Sequence, residues 1–146
     1  MQYVAFVTRE GDKTLAEFPD APGCQTFAEP GERIEDQAAD ALAGWLRAWL
    51  VTGEAPPRPG EHSRAPRRAR LLHVPVPSRI AAAVIVRWAR EDGGLTQVQL
   101  AQRMRVSQAQ VAKLESSKGN PSVETLEKVA RALGRTFAVT MDPVSH

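Results

Sequence analysis

Hydrophobic and polar positions in the first half of the chain alternate with a period of two and then change to a helical period. Residues 2–8 and 14–18 alternate around a polar turn, which predicts a hairpin, and residues 25–28 predict a third strand. Apolar residues then recur at helical spacing from 33 to 50, after acidic residues in the first turns. This stripe comprises Ile34, Ala38, Ala41, Leu42, Trp45 and Trp49. We expect its two tryptophans to pack against the sheet.

A stretch rich in proline, glycine and arginine follows this helix. Residues 53–70 have the composition of an exposed, mobile segment. The apolar run at 71–76 predicts one more strand, and Pro75 and Pro77 favour a position at the edge of the sheet. We therefore expect a first domain over residues 1–77 with the element order β-β-β-α-β.

Helical patterns fill most of residues 78–146, which we expect to form a second domain. A strong helix starts near Ser78 and ends at Gly93-Gly94, and another follows Ser122. Between them lie two short helices, opened by Thr96 and Ser107, whose hydroxyls can accept the amide hydrogens of a first turn. Their apolar residues have the spacing of a helix-turn-helix and are Leu100, Ala101, Met104, Val106, Val111 and Leu114.

The end of the chain carries a further strand-like pattern. Residues 135–141 alternate between apolar and polar side chains. Such a strand could pair with its copy in a second subunit, or it could fold back on its own domain.

The outward face of the second short helix carries side chains with the reach to touch DNA. Gln108 and Gln110 are expected to read bases, since glutamine can form two hydrogen bonds with adenine, and Lys113 to reach a base or a phosphate. Gln97 is expected to anchor a phosphate. Three further residues would hold the DNA backbone: Arg105, Lys118 and Asn120. The full candidate DNA-binding set is Gln97, Arg105, Ser107, Gln108, Ala109, Gln110, Lys113, Lys118 and Asn120.

Residues 78 to about 135 resemble an Xre-type, Cro/repressor-like helix-turn-helix domain. The resemblance rests on Leu95-Thr96-Gln97, Leu114-Glu115, Asn120-Pro121-Ser122 and Ala130-Arg131-Ala132-Leu133-Gly134, which occur in the order and at the spacings of that family. It implies a lambda-repressor-like fold and a homodimer, or a higher homo-oligomer, on operator DNA. One departure is Arg105, which stands at a turn position where many members have glycine, so a positive φ there would carry a modest cost.

The first half resembles the HicB antitoxin domain, a partial RNase H-like fold. The likeness rests on the string Phe18-Pro19-Asp20-Ala21-Pro22-Gly23-Cys24 between the second and third strands, followed by a helix with an acidic start and paired tryptophans. It implies a type II toxin–antitoxin partner, HicA, which is a small basic ribonuclease that the N-terminal domain binds and blocks. The contact residues are not identified, although they could lie near Asp20 and Cys24. The expected protein is an α+β antitoxin that also represses its own operon.

Net charge is unevenly divided along the chain. Residues 1–57 carry four basic and ten acidic side chains, a net charge of −6, whereas residues 58–146 carry fifteen and seven, a net charge of +8. The basic half fits a polyanion such as DNA, and the acidic half fits a basic partner.

Composition also narrows the class of protein. The chain has no run of 18 apolar residues and no export signal, and its lone Cys24 fits a reducing compartment, so we expect a cytoplasmic protein without a membrane span. The three histidines share no metal-ligand spacing with one another or with Cys24. We therefore expect neither a metal nor a cofactor.

An RNase H-like fold raises the question of catalysis. Phosphodiester cleavage in that fold needs carboxylates that converge on Mg²⁺, usually with one on the first strand, yet residues 2–8 contain no acid. Capping and solvation explain the acidic residues near the helix start, which are Glu29, Glu32, Glu35 and Asp36. We expect no enzyme. The remaining alternative is a stand-alone Xre-type transcriptional regulator whose N-terminal domain senses a small ligand.

Overall fold

A computed structural model describes residues 1–143 of the chain. The chain forms two compact units: the first comprises Met1–Trp49 and Pro56–Pro77, and the second comprises Leu50–Ala55 and the chain from Ser78 on. The first unit mixes strands with a helix and the second is helical, which confirms the expected α+β class with a helix-turn-helix.

The first unit contains a four-stranded antiparallel sheet and most of one long helix. Its elements are β1 (Gln2–Glu10), β2 (Lys13–Glu17), β3 (Gln25–Ala28), α1 (Ile34–Thr52) and β4 (Arg70–Pro75), in the predicted order. The last turn of α1, from Leu50 on, belongs to the second unit. The strands lie in the order β3-β2-β1-β4, with Phe6 opposite Glu17 on one side and Leu71 on the other. Strand β4 is therefore an edge strand, as its flanking prolines predicted.

The core of the first unit lies on the sheet face that α1 covers. Alternate residues of β1 point to the same face, and Tyr3, Ala5 and Val7 are all buried. Tyr3 meets Trp45 edge-on with 6.2 Å between ring centroids, and Trp49 packs on Trp45 at 6.0 Å. The tryptophan stripe thus packs towards the sheet, directly through Trp45 and indirectly through Trp49.

The proline- and arginine-rich segment after α1 is held by specific contacts, which its composition did not predict. The Tyr3 hydroxyl donates to the Pro57 carbonyl at 2.6 Å. The Asp20 carboxylate accepts from the Gly60 amide at 2.8 Å and lies 2.7 Å from His62 Nε2. The His62 ring also stands edge-on to Phe6, with 5.5 Å between centroids. Part of this segment therefore packs within the first unit through specific contacts, in addition to the exposed character that its composition predicted.

This placement changes the distribution of charge between the folded units. The segment brings five arginines into the first unit, which then holds nine basic and ten acidic residues, a net charge of −1. The second unit holds ten basic and seven acidic residues, a net charge of +3. The asymmetry along the sequence is thus much weaker between the units, because the arginines of this segment belong to the same unit as most of the acidic residues of the first half.

The second unit consists of four helices around a small apolar core. They are α2 (Ser78–Asp92), α3 (Gln97–Met104), α4 (Gln108–Leu114) and α5 (Val123–Ala132). Leu100, Ala101 and Val111 form a buried cluster against which Met104, Val106, Ala132 and Leu133 pack. All of the cluster's members on α3 and α4 belong to the apolar set that the spacing predicted.

The expected terminal strand is absent from the part of the chain that the structure describes. Residues 135–143 have no regular secondary structure. The Arg135 amide instead donates to the Ala130 carbonyl at 2.8 Å, and Gly134 has φ 67°, so the segment begins as the C-terminal cap of α5. A strand needs a hydrogen-bonded neighbour, and the single chain supplies none here.

Within residues 1–143, no helix combines the length and the hydrophobicity of a membrane span. The same residues contain no cluster of three or more histidine, cysteine or acidic side chains arranged to hold a metal ion.

Candidate nucleic-acid interface

Reciprocal capping boxes fix the starts of both helices of the motif. Thr96 Oγ1 accepts from the Gln99 amide at 3.1 Å, and Gln99 Oε1 accepts from the Thr96 amide at 2.9 Å. Ser107 and Gln110 repeat this exchange at 3.2 and 2.9 Å. The structure confirms the two predicted caps, each of which typically contributes about 0.5–2 kcal/mol.

The second capping box changes what Gln110 can do. Its side-chain carbonyl is turned back to the Ser107 amide, so only the amide nitrogen remains for an outside partner. Two simultaneous hydrogen bonds with adenine need both groups. In this conformation Gln110 is better placed to hold the start of α4 than to read a base by itself.

The turn between α3 and α4 contains the left-handed residue that the resemblance implied. Arg105 has φ 57° and ψ 44°, and its amide donates to the Ala101 and Gln102 carbonyls. A non-glycine residue in this region costs about 1–2 kcal/mol. The Arg105 side chain is exposed beside the start of α4, where a positive charge can meet a phosphate.

One face of α4 and the loop after it present polar groups to solvent. Gln108, Ala109 and Lys113 are exposed, while Val111 on the opposite face is fully buried. A groove of about 660 Å³ runs between this helix and α5. Among its lining residues are Gln110, Lys113, Lys118, Asn120, Ser122 and Lys128. Lys128 was not among the predicted site residues, because a charged residue on an amphipathic helix carries no signal that distinguishes it from a solvated one.

A buried charge network stands behind this face. Glu115, at the C-terminal end of α4, is 0% exposed, and its carboxylate accepts from Arg87 Nε at 3.2 Å. Arg90 binds both carboxylate oxygens, through Nε at 2.6 Å and Nη2 at 2.9 Å. The carboxylate hydrogen bond raises the pKa of Arg90, against the opposing effect of burial. This network fixes the end of α4 to α2.

Arg87 extends the network to the last turn of α1. Its guanidinium donates to the Glu54 carbonyl at 2.8 Å, to the Leu50 carbonyl at 3.3 Å and to the Glu115 carbonyl at 2.9 Å. A cation at the C-terminal end of a helix also interacts favourably with the helix dipole. Leu50–Ala55 is therefore an integral part of the second unit, although it precedes α3, the first helix of the helix-turn-helix, by about 40 residues.

The network was not predicted from the sequence, although one signal was available. A glutamate at the C-terminal end of a helix opposes the helix dipole, so Glu115 is locally unfavourable and needs a compensating partner. Its partners, Arg87 and Arg90 of α2, lie 28 and 25 residues earlier in the chain, so the local sequence does not identify them.

Gln97, the expected phosphate anchor, is half-buried and is directed towards the same carboxylate. Its Nε2 lies 3.4 Å from Glu115 Oε1, which is a long hydrogen bond. The structure therefore brings together Gln108, Ala109, Gln110 and Lys113 on α4, with Arg105 and Ser107 before them and Lys118 and Asn120 after them. Gln97 lies beside the buried network behind this surface.

The two residues considered for toxin contact are both engaged within the first unit. The Asp20 carboxylate holds Gly60 and His62, as described above. Cys24 is 5% exposed, and burial raises the pKa of its thiol to about 11. Asp20 is thus engaged within the first unit through Oδ2, and the Cys24 thiol is buried.

Comparison with known proteins identifies the class of the second unit. Residues 86–139 match the helix-turn-helix family HTH_3. Over 45 residues the chain is 49% identical to an immunity repressor protein of Bacillus phage phi105, and this match covers 31% of each protein. Over 51 residues it is 39% identical to an HTH-type transcriptional regulator of Methanothermobacter thermautotrophicus, which covers 35% of this chain and 74% of that protein. The chain belongs to the helix-turn-helix family.

A longer similarity includes the first unit. Over 125 residues the chain is 29% identical to antitoxin HicB 1 of Photorhabdus laumondii, which covers 86% of this chain and 76% of the relative. A chain of the solved HicA3 and HicB3 toxin-antitoxin complex superposes on 53% of this chain and 99% of its own length, with a TM-score of 0.43 and 23% identity. The sequence similarity confirms the expected resemblance: the chain is a homologue of a HicB antitoxin. This chain also carries a helix-turn-helix domain.

Proposed function

We propose that this chain is the antitoxin of a HicAB-like type II toxin–antitoxin system. Its first unit binds and blocks a HicA-type mRNA-cleaving toxin, and its second unit represses the operon by sequence-specific DNA binding, without catalysis by the chain itself. The observation that carries the proposal is an exposed, capped α4 surface in a helix-turn-helix unit, within a chain similar to a HicB antitoxin over 86% of its length.

On DNA, α4 acts as the recognition helix in the major groove. Gln108 reads a base edge, Lys113 reaches a base or phosphate, and Gln110 holds the helix start. Arg105, Lys118 and Asn120 contact the sugar–phosphate backbone on either side. A homodimer would place two such helices about 34 Å apart, or a multiple of that distance, on a palindromic operator.

Base reading is tested by Gln108→Ala in the full chain. Because the lost contact is specific, we expect a cost of about 1–3 kcal/mol on the operator and little change on unrelated duplex DNA. Gln102→Ala is the matched control, since it removes an exposed glutamine from α3 instead of α4. An equal loss on both DNA sequences would show that Gln108 does not read bases.

Backbone contact is tested by Lys118→Gln. Loss of one phosphate contact should weaken binding to all duplexes alike and reduce the slope of log K against log salt by about 0.9. A slope that matches the unaltered protein would place Lys118 away from the DNA.

Toxin binding is tested by co-expression with the neighbouring reading frame. We expect a stable complex with a small basic protein, and loss of that protein's RNA cleavage when the chain is added. A chain that purifies alone and leaves the RNA cleavage intact would contradict the antitoxin role. Specific operator binding with that result would favour the stand-alone regulator.

A further inference from the structure

Three arginines line one open depression at an end of the sheet of the first unit. Arg9 comes from the end of β1, Arg70 from the start of β4 and Arg68 from the turn before it. The depression has a volume of about 360 Å³, and Thr8 and Thr14 add hydroxyl groups to its lining. We call this surface the arginine depression. It is separate from every residue assigned above to DNA binding.

The charges of the arginine depression are largely uncompensated. Within residues 1–143, Arg9 and Arg68 form no ion pair, and both are exposed. Arg70 lies 3.7 Å from Glu35, a loose pair between partly exposed side chains. Cations that share one site repel each other, so this arrangement is most favourable when an anion binds between them.

The backbone at Arg68 gives a second, independent indication. The Ala69 amide donates to the Pro66 carbonyl at 3.0 Å, which closes a four-residue turn. Arg68 is the third residue of this turn and has φ 67°, where glycine or asparagine is favoured. Strain of this kind is often retained where the side chain serves a function. At a turn position that favours glycine, the chain thus has a residue that strains the backbone but supplies a guanidinium.

We propose that the arginine depression binds phosphates of a nucleic-acid backbone, independently of base sequence. The fork of a guanidinium matches two phosphate oxygens, and threonine hydroxyls commonly add hydrogen bonds to phosphate. A polyanion fits better than a single phosphate, because Arg64 and Arg67 are exposed in the same segment and extend the positive charge. The first unit thereby adds non-specific affinity to the operator contacts of the second unit.

The test measures binding of the full chain to a non-operator duplex over a series of salt concentrations. Arg9→Gln with Arg68→Gln should weaken binding about tenfold at low salt and reduce the log–log salt slope by about 1.8, or 0.9 for each phosphate. The matched control is Arg47→Gln with Arg58→Gln, which removes two exposed cations of the first unit that do not line the depression. This control should change the affinity no more than about twofold. Equal losses in the two double variants would overturn the proposal, since net charge alone would then explain the binding.

Two further measurements distinguish the ligand and the role of the strained turn. Titration with inorganic phosphate should show only weak, millimolar binding. Micromolar binding would instead indicate that the site is specific for a small phosphate ligand and would overturn the nucleic-acid proposal. Arg68→Gly should raise the midpoint of thermal unfolding, because it relieves the positive φ, while it weakens binding to the duplex. Unchanged duplex binding by this folded variant would overturn the proposal. The ratio of operator to non-operator affinity, which depends on Gln108, should remain intact throughout, so the operator role is assessed separately.

Discussion

Glu115→Gln should destabilise the second unit more than any exposed substitution. The variant keeps the shape of the side chain but removes the negative charge that two buried guanidiniums share. The Arg87 and Arg90 side chains are only 3% and 10% exposed, so water cannot replace that charge. Removal of one partner from a buried ion pair typically costs about 3–5 kcal/mol. For a unit of this size that corresponds to a fall in Tm of more than about 12 °C.

Thermal and urea unfolding of the full chain measure this cost, with operator binding as the functional readout. The matched control is Glu124→Gln, which breaks an exposed i,i+4 pair with Lys128 at 3.7 Å and should cost less than about 0.5 kcal/mol. The operator affinity of the Glu115 variant should fall as well, because α4 loses its anchor to α2. A cost within 1 kcal/mol of the control would refute the reasoning that this carboxylate is essential to the network.

The pH dependence of the same network has a defined sign. The pKa of Arg90 is raised above that of an unfolded arginine, chiefly by its hydrogen bond with Glu115, so its stabilising contribution is fully present at every pH below the ordinary arginine value. It is lost only as the pH rises beyond that value. We therefore expect the contribution of Arg90 to stay constant between about pH 6 and 9, where the unfolding measurements are made.

The remaining predictions concern close packing and buried titratable groups. Gly119→Ala should lower the free energy of unfolding by about 1–3 kcal/mol and weaken operator binding, because the added Cβ would collide with the Lys113 carbonyl. Gly44→Ala, in open space on α1, is the control and should raise the free energy of unfolding by up to about 1 kcal/mol. Thermal unfolding checks both, and a neutral Gly119→Ala would contradict the close approach. Burial raises the pKa of Cys24 to about 11 from an ordinary value of 9.0, so the unfolded thiol ionises first and stability should fall as the pH rises between these values. In Cys24→Ala this decline should be shallower in urea titrations at pH 8 to 11, and identical slopes would exclude the thiol as a cause.

The local elements and the class of the second unit follow from the order of residues along the chain. Strand alternation, helical periodicity and the hydroxyls of Thr96 and Ser107 each act within a few residues, so the hairpin, the helices and both capping boxes were predictable. From the sequence, a positive φ at Arg105 was a conditional expectation, based on the glycine that many members of the family have at this turn position. Most of the candidate DNA-binding surface could be predicted in the same way, because α4 presents one face of a short regular helix.

Contacts between residues distant in sequence depend instead on how the whole chain packs. Glu115 pairs with arginines 25 and 28 residues away, and Asp20 holds His62 and Gly60 across about 40 residues. The turn of Gln110 towards its own cap, the arginine depression and the absence of a strand at residues 135–143 also required the folded chain. A hydrogen bond within one turn depends on neighbouring residues alone. A buried ion pair or a strand depends on a partner whose position is set by the packing of the whole unit.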